Sequence, residues 1–173
     1  MTDAAQQQRF VELLQAHRGI VYKVARSYSC GAADRDDLVQ EICLQLWRAF
    51  PRYDSQRTFS TWMYRVALNV AISAVRRGQA ASARVEPLDK VHLETIAAGE
   101  TDTDEEGRLA AMHALIGQLE PLDRALILLY LDDQSYADMA EVLGISETNV
   151  ATKINRIKQR LQTRMTADAA DGG

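Results

Sequence analysis

The sequence predicts an all-α protein: two small helical domains joined by a flexible acidic linker, the second containing a helix-turn-helix. Three observations carry that expectation. Apolar residues recur at three- and four-residue spacing over most of the chain, the period of one buried helix face. The periodicity stops between Gly78 and Gly107, in a stretch rich in Ala, Glu, Asp, Thr and Gly, which is the composition of a tether. Finally, Ser135 to Leu161, SYADMAEVLGISETNVATKINRIKQRL, reads as two short helices around a tight turn. No segment shows the alternation of a strand.

Taken in order, Met1 to Gln7 are polar and expected to fray, and Phe10, Leu13, Leu14 and His17 begin a helix. Ile20, Val21, Val24, Ala25 and Tyr28 carry a second apolar stripe, with Gly19 as the weak point between them. Ser29 to Ala33 reads as a loop. Asp34 then caps a helix over Arg35 to Phe50, with Asp36 and Asp37 near its start, where carboxylates favour the positive end of the dipole. Leu38, Ile42, Leu46 and Trp47 form its inner side. Asp37, Gln40, Glu41, Leu44 and Arg48 line a second face, and Pro51 ends the helix.

A polar loop with Tyr53 and Asp54 leads to a helix over Thr58 to Arg77. Phe59, Met63, Val66, Val70 and Ala74 make its core stripe. Trp62, Arg65, Asn69, Ile72 and Arg76 fall on the other side. An exposed face joining an aromatic, an amide and arginines suits unpaired nucleic acid, because aromatics stack on free bases and arginines hold phosphates. After the linker, Leu109, Met112, Ile116 and Leu119 mark one helix. Pro121 opens the next, with Leu122, Leu126, Leu129 and Tyr130.

In the helix-turn-helix, Ser135 and Asp138 have the spacing of a capping box. Met139, Val142 and Leu143 supply an apolar stripe, Gly144 suits the left-handed end of a helix, and Ser146 caps the next. Val150, Ile154, Ile157 and Leu161 share its buried face. Thr148, Asn149, Thr152, Lys153, Arg156, Gln159 and Arg160 lie opposite, every one a hydrogen-bond donor. A helix that enters a major groove needs such a face, since base edges offer acceptors and phosphates flank them. Asp168 to Gly173 is expected to be a disordered tail.

The net charge of −4 argues against nucleic acid on its face, but its distribution reverses that. Arg57 to Arg77 holds four arginines and no Asp or Glu. Gly144 to Met165 holds five cations against Glu147 alone, and the acid is concentrated between Arg84 and Gly107. Local basic faces decide where phosphates bind. Cys30 and Cys43 lack metal-ligand spacing, and Cys43 falls in an apolar helical pattern. His17, His92 and His113 are scattered with no nucleophile or metal partner. No glycine-rich phosphate loop is present. No catalytic residue, metal or cofactor is therefore expected. With no signal peptide, and with Ala125 to Leu131 far too short to span a bilayer, the expected location is the cytoplasm.

Two separated blocks occur in a telling order: DLVQEICLQLWRAFPRYD followed by FSTWMYRVALNVAISAVRR (Asp37 to Arg77), then LEPLDRALILLYLDDQSYADMAEVLGISETNVATKINRIKQRL (Leu119 to Leu161). Together they resemble the extracytoplasmic-function (ECF) group of bacterial RNA polymerase sigma factors, in the sigma-70 family. The resemblance implies a region-2 domain over residues 1–80, a linker over 81–107, a region-4 domain over 108–165 and a tail over 166–173. It implies that Asp37, Leu38, Gln40, Glu41 and Leu44 dock on the β′ clamp helices of core RNA polymerase, with the β flap as a further partner. Tyr53, Asp54, Arg57, Thr58, Phe59, Trp62, Arg65 and Asn69 correspond to residues that read and melt the downstream (−10) promoter element, with Arg76 and Arg77 on phosphates. Thr148 to Arg160 would read the upstream (−35) element. An anti-sigma factor is a further implied partner, and no membrane insertion is implied.

The chain departs from the family pattern at Ser73, where many members carry Asp, at Ala151, at the SYSCG loop (27–31), and at Lys153, where Arg is common. Lysine does not reproduce a bidentate guanine contact. Two other readings compete. A free-standing helix-turn-helix regulator leaves Asp37 to Arg77 unexplained. A sigma mimic that binds an anti-sigma factor has no need of the basic faces.

Overall fold

The computed structural model describes residues 3–82 and 104–171. Among these are eight α-helices, one 3-10 turn and no strand. The chain divides into two compact units, Met1–Glu100 and Thr101–Gly173.

The first unit holds α1 (Asp3–Ala16), α2 (Arg18–Tyr28), α3 (Ala32–Ala49), the 3-10 turn Phe50–Arg52, and α4 (Phe59–Ser82). α2, α3 and α4 pack against one another. Their core is Ile20, Val21, Val24, Ala25, Tyr28, Leu38, Ile42, Leu46, Phe59, Met63, Tyr64, Ala67, Leu68 and Ala71, with Phe10 from α1 and Phe50 from the 3-10 turn.

Several boundaries differ from the sequence expectation. Helix α1 begins at Asp3, so most of the Met1–Gln7 stretch expected to fray is helical. The break between α1 and α2 falls at His17, not Gly19. The His17 ring Nδ1 and backbone N–H both hydrogen-bond to the Leu13 carbonyl, at 3.0 and 3.2 Å, which closes the helix there. Asp34 is not the N-cap of α3. Gly31 holds that place, and the Asp34 carboxylate, one turn in, accepts the Cys30 N–H at 2.9 Å. That bond ties the residue before the N-cap to the first turn of the helix.

The α4 stripe is also displaced. Val66, Val70 and Ala74 are only half-buried, while Tyr64, Ala67, Leu68 and Ala71 are buried. Two helices press on α4 at once, so its inner face is wider than a single stripe, and two alanines at its centre let the backbones approach. Trp47, expected inside, is 40% exposed.

The second unit holds α5 (Asp104–Gly117), α6 (Pro121–Leu131), α7 (Tyr136–Leu143) and α8 (Glu147–Asp171). α8 packs on α6 and α7 around Ile116, Leu119, Ala125 to Leu129, Met139, Val142, Val150, Ile154 and Ile157. Pro121 stands in the first turn of α6, where its missing N–H costs nothing. Arg124 ties the preceding turn down, its Nη2 donating to the carbonyls of Gly117 (2.7 Å) and Leu119 (3.0 Å).

The tail differs from expectation: α8 continues to Asp171 instead of ending near Leu161. Of the linker expected over 81–107, only the ends lie among the described residues, and they are helical, α4 running through Ser82 and α5 starting at Asp104.

The turn of the helix-turn-helix forms as the capping residues dictate. Ser135 Oγ accepts the Asp138 N–H at 3.0 Å. Gly144 is left-handed, φ +68°, and its N–H donates to the Ala140 carbonyl at 2.8 Å. Ser146 Oγ accepts the Asn149 N–H at 3.1 Å. A Cβ at Gly144 would meet nothing within 4 Å, so Gly144→Ala is opposed by backbone conformation alone. The expected loss is about 1–2 kcal/mol, read from the urea unfolding midpoint. A neutral result would place the turn elsewhere.

Candidate nucleic-acid interface

At the head of α4 four aromatic rings interlock. Tyr53 lies 5.0 Å from Trp62, 5.4 Å from Phe59 in an edge contact, and 6.0 Å from Phe50 in a stacked one. Phe59 and Trp62 are 5.3 Å apart. The loop that presents Tyr53 is closed on itself. The Tyr53 hydroxyl donates to the Arg57 carbonyl at 2.6 Å, the Arg57 N–H to the Asp54 carbonyl at 3.0 Å, and the Gln56 N–H to the Asp54 carboxylate at 3.0 Å. Asp54 therefore shapes the turn, and its carboxylate is already engaged there.

The rings divide into floor and rim. Phe50 and Phe59 are buried, whereas Tyr53 and Trp62 are half-buried, each with part of its surface open. Phe59, anticipated as a contact, is 6% exposed and packs against Tyr53 and Trp62. Arg57, Thr58, Arg65, Asn69, Arg76 and Arg77 are all exposed. Trp62, Arg65, Asn69 and Arg76 fall on one face of α4 by helical spacing, and no carboxylate occurs on that helix through Arg77.

On α3, Asp37, Gln40 and Leu44 are exposed and Glu41 is half-buried, while Leu38 is buried in the core at 6% exposure. Leu44 is 46% exposed beside these polar groups. Glu41 and Arg77, expected on different surfaces, meet: Arg77 Nη2 lies 3.2 Å from Glu41 Oε1. An exposed pair of this kind contributes at most about 1 kcal/mol. Nothing in the sequence pattern joins these residues across thirty-six positions; only the packing of α3 on α4 does.

In the second unit, Thr148, Asn149, Thr152, Arg156, Gln159 and Arg160 are exposed on one face of α8, and Lys153 lies half-buried at its margin. Val150, Ile154 and Ile157 are buried opposite. Arg160 leans on Asp123 of α6 at 4.0 Å, so it sits at the edge of the face. Lys158, which the donor pattern passed over, lies over the Tyr130 ring, 4.1 Å from its centroid. Its ammonium pKa is raised, chiefly by hydrogen bonding with Tyr130.

Cys30 is exposed, and burial pushes the Cys43 thiol up, which keeps it protonated. Among the described residues, no group of His, Cys, Asp or Glu is placed to hold a metal ion, and no helix is long and apolar enough to cross a membrane.

Both units match known families. Sigma-70 region 2 matches residues 13–81, and sigma-70 region 4 matches residues 109–161. RNA polymerase sigma factor CnrH of Cupriavidus metallidurans is 29% identical over 94% of this chain and 90% of its own. The ECF RNA polymerase sigma factor SigW of Bacillus subtilis is 23% identical over 92% and 90%. Among solved structures, CnrH in complex with the cytosolic domain of CnrY aligns with a TM-score of 0.66 at 26% identity, covering 94% of this chain and 90% of that one. The sigma factor RpoE in complex with the anti-sigma factor NepR from Bartonella quintana shares the fold, with a TM-score of 0.66 at 20% identity over 94% and 97%. Members of this family are transcription regulators, not enzymes. The chain belongs to the sigma-70 family, in its ECF group of bacterial RNA polymerase sigma factors.

Proposed function

We propose that in this sigma factor, which binds core RNA polymerase and directs promoter recognition and transcription initiation, the two units divide the work. The α3 face, Asp37, Gln40, Glu41 and Leu44, docks on the β′ clamp helices. The head of α4 captures the −10 element once it opens. Tyr53 and Trp62 stack on unpaired bases, Arg57, Thr58, Arg65 and Asn69 flank them, and Arg76 and Arg77 hold phosphates. Phe59 and Asp54 hold this site in shape.

The face from Thr148 to Arg160 reads duplex at the −35 element, with the β flap as the second unit's polymerase contact. Binding one unit makes the other's DNA contact effectively intramolecular. The protein catalyses no reaction of its own and works in the cytoplasm. An anti-sigma factor is a further partner, as NepR is in the complex with the Bartonella sigma factor.

The observation that carries this reading is the open rim of Tyr53 and Trp62 over a buried aromatic floor, on a helix free of acid through Arg77. Opening a base step costs a few kcal/mol. Stacking on an aromatic returns about 1–3 kcal/mol per base, so two rings offset much of that cost. A free helix-turn-helix regulator would have no use for this site.

In vitro transcription tests the reading. The chain is mixed with sigma-free core polymerase and a fragmented genomic library, and the 5′ ends are mapped. Discrete starts sharing two spaced upstream motifs are expected. Duplex binding without initiation would overturn the reading in favour of a free regulator. In the same assay Arg156→Ala should weaken the upstream contact by about 1–3 kcal/mol and relax base preference there. Unchanged affinity and preference would remove Arg156 from the site.

A further inference from the structure

Helix α1 contributes one buried side chain, Phe10, and the partners of that side chain are rings. Phe10 lies 5.2 Å from Phe50 and 5.2 Å from Trp47. His17, which closes α1, has its own ring 5.2 Å from Phe59. Phe10 and His17 are seven residues apart, about two helical turns, so they fall on the same side. Leu13 and Leu14 are half-buried between them.

Phe50 and Phe59 are the two floor rings of the aromatic cluster, and each reaches both rings of the rim. Phe50 lies 6.0 Å from Tyr53 and 6.2 Å from Trp62. Phe59 lies 5.4 Å and 5.3 Å from the same two. The ring contacts of α1 and its closing residue thus fall one on each floor ring. The His17 ring is itself held, its Nδ1 bonded to the Leu13 carbonyl at 3.0 Å.

We propose that Phe10 and His17 are positioning residues for capture of the unpaired −10 strand. They act through Phe50 and Phe59, fixing the separation and tilt of Tyr53 and Trp62, and not on DNA directly. A close-packed interior transmits a displacement, and where a ring is lost its neighbours settle partway into the gap. A binding site tolerates only about 0.5 Å of such settling. The fold tolerates more, because α1 buries no other side chain. The proposal rests on the reading of Tyr53 and Trp62 as the capture site. It gives α1, which has no part in that reading, a role in promoter opening.

The test uses holoenzyme assembled from the full chain and core polymerase. The probe is a duplex with a pre-opened bubble across the −10 element of a mapped promoter. Phe10→Leu and His17→Leu keep an apolar side chain and remove the ring, and His17→Phe restores a ring without the Nδ1 bond. Trp62→Ala runs in parallel. Ile42→Val, at a fully buried position on α3, is the control for lost stability alone. Both leucine variants should bind the bubble about 5- to 20-fold more weakly, part of what stacking one base contributes. His17→Phe should recover most of that loss. A paired upstream fragment ending before the −10 element should be bound as before. Ile42→Val should lower the urea midpoint and leave bubble binding unchanged. Both tryptophans of the chain, Trp47 and Trp62, lie in the first unit, so their fluorescence reports its unfolding.

Unaltered bubble binding by both leucine variants, with Trp62→Ala impaired, overturns the proposal and leaves the capture site standing. Equal losses in Ile42→Val and the leucine variants also overturn it, by making lost stability the cause. If Trp62→Ala is neutral, the reading of the rim falls and the proposal falls with it. Should Phe10→Leu not fold, His17→Leu, at a half-buried position, carries the test.

Discussion

Ile154→Ala should cost the helix-turn-helix unit about 2–5 kcal/mol, the range for removing a large aliphatic side chain from a closed core. Ile154 is fully buried, on the face of α8 that packs against α6 and α7. At roughly 0.05–0.15 kcal/mol per residue, a unit of this size holds only about 4–10 kcal/mol in all. The substitution therefore removes a large fraction of what keeps α8 in place. Urea unfolding of the full chain would measure it, and duplex binding should weaken in step as the unit populates its unfolded state. Arg156, two residues on, faces solvent, and its alanine variant should leave the unfolding midpoint almost unmoved. If Ile154→Ala shifts stability by under 1 kcal/mol, α8 is not seated as described.

Asp37→Lys/Glu41→Lys should abolish polymerase-dependent transcription while leaving the chain folded. Both side chains lie on the face of α3 away from Leu38, Ile42 and Leu46, so reversal touches no core contact. The Glu41–Arg77 pair is lost and replaced by like charges, but at 66% and 40% side-chain exposure solvent screens that change, holding the cost to about 1 kcal/mol or less. Docking through this acidic face would instead meet two reversed charges. Co-migration with core polymerase on size exclusion, with circular dichroism as the folding control, separates the two effects. A folded variant that still binds core polymerase and initiates would move the docking surface off α3.

The residues of the helix-turn-helix were legible because local rules act alone there. Ser135, Gly144 and Ser146 make bonds to residues within four positions, and a capping preference is a property of the segment itself. The donor face of α8 was legible for a similar reason: with Val150, Ile154 and Ile157 placed inside, helical period alone puts Thr148, Asn149, Thr152 and Arg156 outside. The aromatic site was legible only in part. Its members could be named, but not which of them form the floor, because Phe59 and Trp62 are three residues apart on one helix. What buries the first and half-exposes the second is Phe50, Tyr53 and His17 arriving from other segments.

What the sequence determined by itself, then, is the all-helical character, the second unit's turn and caps, and the segregation of basic helices from acid. All of these follow from periodicity, local hydrogen bonding and charge order along the chain. The tertiary structure decided where α1 ends, how wide the buried face of α4 is, that Leu38 and Phe59 are buried, and that Glu41 meets Arg77. It also decided that His17 meets Phe59. Each of these depends on which helix is pressed against which, and a period of 3.6 residues fixes a face without naming the neighbour that covers it.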